Sequence, residues 1–301
     1  MKDYYMTQKI HDHFAKQYLA YLLDKYGQTK ISHEIVGTSF QVDLVFSPND
    51  TADRQAMGLL GQMASHDCFI EVFSYQPQKQ EIRTCLVKLY LKHNELYNKA
   101  RNEKKSLSEN KLPHLWIITT SASVTLMNSF KATHYPPNWS QGIYFFGESF
   151  KTAVVAINQL PTTPETLWLR LLGKGAIRQQ AINELIALPD ENVLRNQVLK
   201  LVYNYLKAIE SQSQKTQEEE ELFMELSPAY YQWEKETLQK GMQQGMQKMQ
   251  RIFVENMLKL RFGLSNEEIA GMIEPLLKLP PEESTRILLQ SSREELLKKY
   301  Q

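Results

Sequence analysis

Hydrophobic periodicity changes character once along this 301-residue chain, near residue 160, and the change limits the architectures open to it. Before it, helical and strand periods alternate. Ile10, Phe14, Tyr18, Leu22 and Tyr26 recur every four residues and predict an amphipathic opening helix. Segments 31–36 and 40–46 read as strands, with Gly37-Thr38-Ser39 as the turn between them. Met57, Leu60, Met63 and Ala64 share one face of a short helix within 52–65, and 69–73 is a third strand. Ile82, Cys85, Leu86, Leu89, His93 and Leu96 mark a second long helix. The β-rich runs 115–120 and 143–146 read as further strands, the first of them buried. This order predicts an α/β domain over residues 1–160, a mixed sheet flanked by helices.

After residue 160 almost everything is helical. Pro161-Thr162-Thr163-Pro164 sets the boundary, because each proline fixes φ and holds its predecessor extended. Residues 161–227 form a helical connector region broken at Gly173, Gly175 and Pro189, ending in the solvated glutamate run 218–221. In the third region, 228–301, the positions Leu238, Met242, Met246, Met249, Phe253, Met257 and Leu260 step by four or three. That is a coiled-coil-like stripe, followed by a small helical C-terminal domain broken at Pro275 and Pro280-Pro281. A helix over 229–262 with such a face needs a cover. The chain's own tail can supply it, or a second copy can, giving a homodimer; Gly241 and Gly245 permit close backbone approach.

Charge excludes a simple polyanion glue. The chain carries 35 basic and 34 acidic side chains, a net +1. The first 160 residues hold +3 and all seven histidines, the remainder −2. Locally, residues 79–111 hold nine Lys or Arg against four Glu. Lys99, Arg101, Lys104 and Lys105 cluster at the end of the long helix, where they could meet DNA phosphates or equally complement the helix dipole from solvent. Two cysteines, Cys68 and Cys85, exclude a disulfide framework and a CxxC zinc module. The charged N-terminus is no signal peptide and no run reaches the length of a membrane span, so the expected location is cytoplasmic.

The chemistry concentrates on two acids inside apolar runs, Val42-Asp43-Leu44-Val45-Phe46 and Phe69-Ile70-Glu71-Val72-Phe73. A carboxylate there is costly unless paired, hydrogen-bonded or metal-bound. Two such groups on neighbouring strands repel, and a divalent cation relieves them. Mg²⁺ or Mn²⁺ held by two carboxylates is hardware for activating water on a phosphodiester. Period-two alternation also lets either acid face solvent from an edge strand. Other groups offer less. His11 and His13 point to different helix faces, the remaining histidines lack metal spacing, Gly173-Lys174-Gly175 is no P-loop, and the four tryptophans are scattered.

With the order helix, strand, strand, strand, helix, strand, and with Asp43 late on the second strand and Glu71 on the third, the chain resembles the PD-(D/E)XK nuclease superfamily. It is most similar to the recombination-promoting nuclease and transposase branch and its cyanobacterial members. The segments Gly58-Leu59-Leu60-Gly61-Gln62-Met63-Ala64-Ser65, Ile70-Glu71-Val72-Phe73 and Pro164-Glu165-Thr166-Leu167-Trp168-Leu169-Arg170 carry the likeness, as does the Gly241/Gly245 repeat followed by Arg261-Phe262-Gly263. The resemblance implies a restriction-endonuclease-like fold and a metal-dependent DNA endonuclease or transposase-associated nuclease, with Asp43 and Glu71 holding Mg²⁺ or Mn²⁺. It also implies a lysine two residues after Glu71, where this chain has Phe73. Some superfamily members supply that lysine from the second core helix. Lys88, on the flank of the Ile82/Leu86/Leu89 stripe, is the first candidate here and Lys79 the second; both could equally be solvated surface lysines. Without a replacement, the expected protein is a catalytically degenerate dimeric interaction scaffold on the same fold.

Overall fold

The computed structural model describes residues 14–35, 40–49, 53–134, 138–189, 191–210 and 217–300, leaving out the side chains of 13 residues between 203 and 230. Ile10, His11, His13 and the Gly37-Thr38-Ser39 turn lie outside the described residues. The chain forms two compact units, Met1–Tyr230 and Tyr231–Gln301.

The first unit is α/β. Among its described residues one seven-stranded sheet runs in the order β1-β2-β3-β4-β7-β6-β5. The strands are β1 (Gly27–Glu34), β2 (Gln41–Pro48), β3 (Cys68–Phe73), β4 (His114–Thr119), β5 (Thr133–His134), β6 (Ile143–Phe145) and β7 (Thr152–Ala156). Neighbours β3, β4 and β7 are parallel and the rest antiparallel, so the sheet is mixed as expected. In β2 the alternation is clean: Val42, Leu44 and Phe46 are fully buried while Asp43, Val45 and Ser47 are half-buried. In β7, Thr-Ala-Val-Val-Ala is buried throughout, as parallel pairing with covered faces requires.

Helices cover the sheet. The opening helix α1 (14–24) buries Phe14, Ala15, Tyr18, Leu19, Leu22 and Leu23. Its Tyr18 hydroxyl donates to the Trp168 carbonyl at 2.8 Å, and the Trp168 indole donates to the Ala56 carbonyl at 3.1 Å. These bonds tie α1 to the short helix α5 (Leu167–Arg170) and to the 3-10 turn Gln55–Met57 that leads into α2 (Gly58–Met63). The long helix α3 (Lys79–Asn102) connects β3 to β4 and packs Ile82, Cys85 and Leu89 against Phe69, Leu115 and Ile117. Helices α4 (Val124–Ser129), α6 (Ala176–Ala187) and α7 (Val193–Glu210) complete the unit.

The Pro161–Pro164 turn, where composition shifts, lies inside this first unit. Arg170, 2 % exposed at its side chain, explains how. Its guanidinium donates to Thr163 O and Thr166 Oγ1, each at 3.0 Å, and makes a two-pronged contact with Glu184 of α6. One buried cation thus pins the turn, α5 and α6 together.

The helix α8 (Gln217–Phe262) carries the chain into the second unit. The glutamate run 218–221 opens this helix rather than forming a connector, at the end where the dipole favours acids. Pro228, which has no N–H for the helical ladder, falls just before the unit boundary. Helices α9 (Asn266–Leu277), α10 (Pro281–Gln290) and α11 (Arg293–Tyr300) follow. Their Ile269, Met272, Ile273, Leu276, Leu288 and Leu296 close over Val254, Leu258 and Phe262 of α8. Arg251 donates to Glu274 at 2.8 Å, and Arg261 donates to the Leu288 carbonyl. No helix among the described residues is long and apolar enough to cross a membrane.

Candidate active site

Asp43 and Glu71 meet at a place where the sheet loosens. The β2–β3 ladder runs Phe46↔Cys68, Val45↔Phe69, Leu44↔Ile70 and stops; one further step would set Asp43 opposite Glu71. There the Asp43 side chain substitutes for a ladder acceptor, taking the Val72 N–H on Oδ2 at 3.0 Å. On its other flank, β1 pairs Ile31 with Leu44 and His33 with Val42, and between them Ser32 takes φ of 50°. A serine in the left-handed region stores backbone strain, and here it stands beside the first acid.

Each carboxylate has an ammonium. Lys16 of α1 lies 2.7 Å from Asp43 Oδ1, with the side chains 14 % and 18 % exposed. Lys88 of α3 donates to both oxygens of Glu71, at 2.8 and 2.9 Å, with side chains 13 % and 4 % exposed. Lys88 can do this because α3 lays its Ile82/Cys85/Leu89 stripe on the sheet, which turns the flank carrying Lys88 toward β3. Phe73, where the triplet lysine would stand, packs onto that same core and meets Tyr75 edge-on at 5.8 Å. The loop between β3 and α3 is held by Glu81, which accepts the Tyr75 hydroxyl at 2.5 Å and the Gln78 N–H at 2.7 Å.

Two carboxylates and two ammonium groups share the site. Burial and the neighbouring Asp43 charge push the Glu71 carboxyl up to about 8, against the pull of Lys88 and Lys16. Cys85, beneath Glu71, is pushed up by burial first and then by that same carboxylate. The donor set is two hard carboxylates, and Mg²⁺ is bound through one or two carboxylates with water in its other positions. Asp43 and Glu71 are of that donor type, and each already holds a lysine ammonium. Among the described residues no cluster of three or more His, Cys, Asp or Glu comes together, so these two acids are the whole of the protein ligand set offered here.

Of the residues singled out in the sequence, Asp43, Glu71 and Lys88 are brought together. Lys79 is exposed at the first position of α3, nine residues before Lys88. The basic cluster is elsewhere: Lys99 and Arg101 occupy the last turn of α3, and Lys104 (φ 53°) and Lys105 follow it, all exposed. At 1.5 Å per residue, Lys99 is about 17 Å along the helix from Lys88. His93 donates from Nε2 to the Pro113 carbonyl at 2.9 Å, and burial lowers its pKa, which is a structural role. The residue that the sequence reading passed over is Lys16. Its signal was a second stripe on the opening helix, Ala15/Leu19/Leu23, beside which position 16 places a cation on a buried flank.

A concavity of about 540 Å³ lies away from the two acids, by the first residues of β4 and β7, lined by Trp116, Trp139, Phe145, His114, Lys131 and Lys151 among others. Comparison with known proteins finds no family model, no curated protein and no solved structure that matches this chain.

Proposed function

We propose that the first unit is a metal-dependent phosphodiesterase acting on DNA, a nuclease of the PD-(D/E)XK kind with a relocated lysine. The observation that carries this reading is the two-pronged contact of Lys88 with Glu71 while Phe73 fills the position two residues on. A purely solvated lysine would not be 13 % exposed against a buried carboxylate. Asp43 and Glu71 would hold the ion. Bound there, Mg²⁺ or Mn²⁺ supplies a polarised phosphoryl oxygen and an acidified water. Lys88 orients Glu71 and sets a positive charge beside the place where phosphoryl charge develops. Lys16 and the Val72 N–H fix the rotamer of Asp43. The exposed Lys99/Arg101/Lys104/Lys105 cluster serves as a phosphate contact for the flanking duplex.

Cleavage of supercoiled plasmid with Mg²⁺ or Mn²⁺ tests the reading. Asp43→Ala, Glu71→Ala and Lys88→Ala should each lose about 100-fold or more in rate, and chelation should abolish cleavage. Wild-type protein inert on duplex DNA, single strands and RNA, or cleavage unchanged in the three variants, would sink it.

One observation favours a second reading, a scaffold that keeps the fold without the chemistry. Both oxygens of each acid already have protein donors: Lys16 and Val72 N–H on Asp43, Lys88 twice on Glu71. Four charges so arranged can act as a pin between α1, the sheet and α3. Thermal melts separate the two. A scaffold shows no rise in Tm with divalent cation, whereas the nuclease shows one that Asp43→Asn removes.

A further inference from the structure

The helix α8 has two apolar faces, and among the described residues only one is covered. Assigning a heptad with Met246 and Phe253 at position a puts Arg251, Val254, Leu258 and Phe262 at b, c and f. That is the side on which α9, α10 and α11 close. The opposite seam, Met242 (d), Met246 (a), Met249 (d), Phe253 (a) and Leu260 (a), with Ile252 beside it at g, is 41 % to 86 % exposed at each of these positions. The stripe visible in the sequence is thus the exposed one, and the tail that could have covered it is engaged on the other side. Met257, at e, is the exception and packs partly into the tail core.

We infer that this seam pairs with the same seam of a second copy, as a parallel, in-register two-stranded coiled coil. Three features select that occupant. The flanking e and g positions are Gln243, Gly245, Gln250, Ile252, Met257 and Lys259; the one charge, Lys259 at g, would face position 264 past the end of the helix, so identical copies meet without like-charge repulsion. The exposed side chains together offer an area on the order of 800 Å² per copy, the size of a specific pair. Asn256, exposed and the one polar residue within the seam from Met242 to Leu260, sets the direction. In a parallel in-register pair its amide meets its own counterpart and the two bond. In an antiparallel pair centred on the seam it would be buried against Met246, unpaired. Gly241 and Gly245 have open space around the position a Cβ would take among the described residues, so a second backbone can approach there.

Sedimentation of the full chain across micromolar concentrations tests the pairing. Wild type should show a reversible monomer–dimer equilibrium, and Phe253→Glu or Met246→Glu should weaken it at least 100-fold with unchanged circular dichroism, since both positions are exposed. Direction is read by oxidative cross-linking. Met246→Cys and Met249→Cys should each give a covalent dimer and Gln244→Cys, at position f, none; the native Cys68 and Cys85 are buried and stay silent. Three results would overturn the inference: a wild type that stays monomeric, because the chain or another partner then covers the seam; a dimer indifferent to Phe253→Glu and Met246→Glu, which pairs elsewhere; and a dimer that Met246→Cys and Met249→Cys fail to cross-link, which is not parallel in register.

Discussion

Lys16 occupies the position that a metal would contest. Its ammonium sits 2.7 Å from Asp43 Oδ1, so an ion binding that oxygen has to share it or displace the lysine. Replacing Lys16 with Met removes the competitor and keeps the aliphatic stem. Under the proposed function, Lys16→Met should therefore bind Mn²⁺ several-fold more tightly than wild type, as read by calorimetric titration. Weaker binding would show that Lys16 positions Asp43 more than it competes for it. The same titration carries a pH signature. The Glu71 carboxyl is raised from its ordinary value near 4.5 to about 8 in the folded protein, so between those values the native state keeps a proton that the unfolded chain has lost. Without metal, that proton's stabilisation is complete below about 4.5 and is lost as pH rises through about 8. With metal the sign reverses: the ion needs the ionised carboxylate, so affinity should climb from pH 6 to about 8 and then level, releasing one proton per ion at neutral pH. Affinity independent of pH over that range would remove Glu71 from the ligand set.

At the scale of elements, Arg170 and Glu184 offer a stability test clear of the candidate site. Glu184→Ala leaves a guanidinium that is 2 % exposed without its carboxylate. Because Glu184 itself is 31 % exposed, the loss should be about 2 kcal/mol, read as a fall of several degrees in Tm. A double variant, Arg170→Met with Glu184→Leu, should recover most of it. An unchanged Tm in the single variant would mean that water replaces the carboxylate. This clamp also marks a limit of sequence reading. Pro161-Thr162-Thr163-Pro164 has the grammar of a linker, and nothing in its composition announces that an arginine six residues on is buried against it. The acids were legible because a charge inside Val42–Phe46 or Phe69–Phe73 breaks an apolar pattern. Lys88 was legible because helical spacing fixes which flank it occupies. Strand β1 was only half legible: Gly-Gln-Thr-Lys-Ile-Ser-His-Glu has little apolar alternation, and Ile31 is 43 % exposed, so its pairing with β2 defines it more than its own sequence does. Strand β7 is short and wholly buried, and five residues without alternation carry no period to read. On α8 two apolar stripes overlap within the last three turns, and spacing alone cannot say which one the tail chooses.

The whole molecule combines a sheet unit bearing the two acids with a helical unit closed by its own small core. Residues 231–301 hold ten buried apolar side chains, nine from four helices and Leu264 from the link between α8 and α9, enough for a core of their own. Expressed alone, this segment should be helical and melt cooperatively; a broad, non-cooperative loss of ellipticity would show that it depends on the sheet unit. The two faces of α8 also differ in kind. Closing the tail over Val254, Leu258 and Phe262 is a unimolecular event, equally complete in one molecule or a million. Covering Met242, Met246 and Phe253 with a second copy is bimolecular, and its extent follows how many copies share the volume. Under the inferred pairing, abundance becomes a structural variable: raising the amount of this protein would change its form as well.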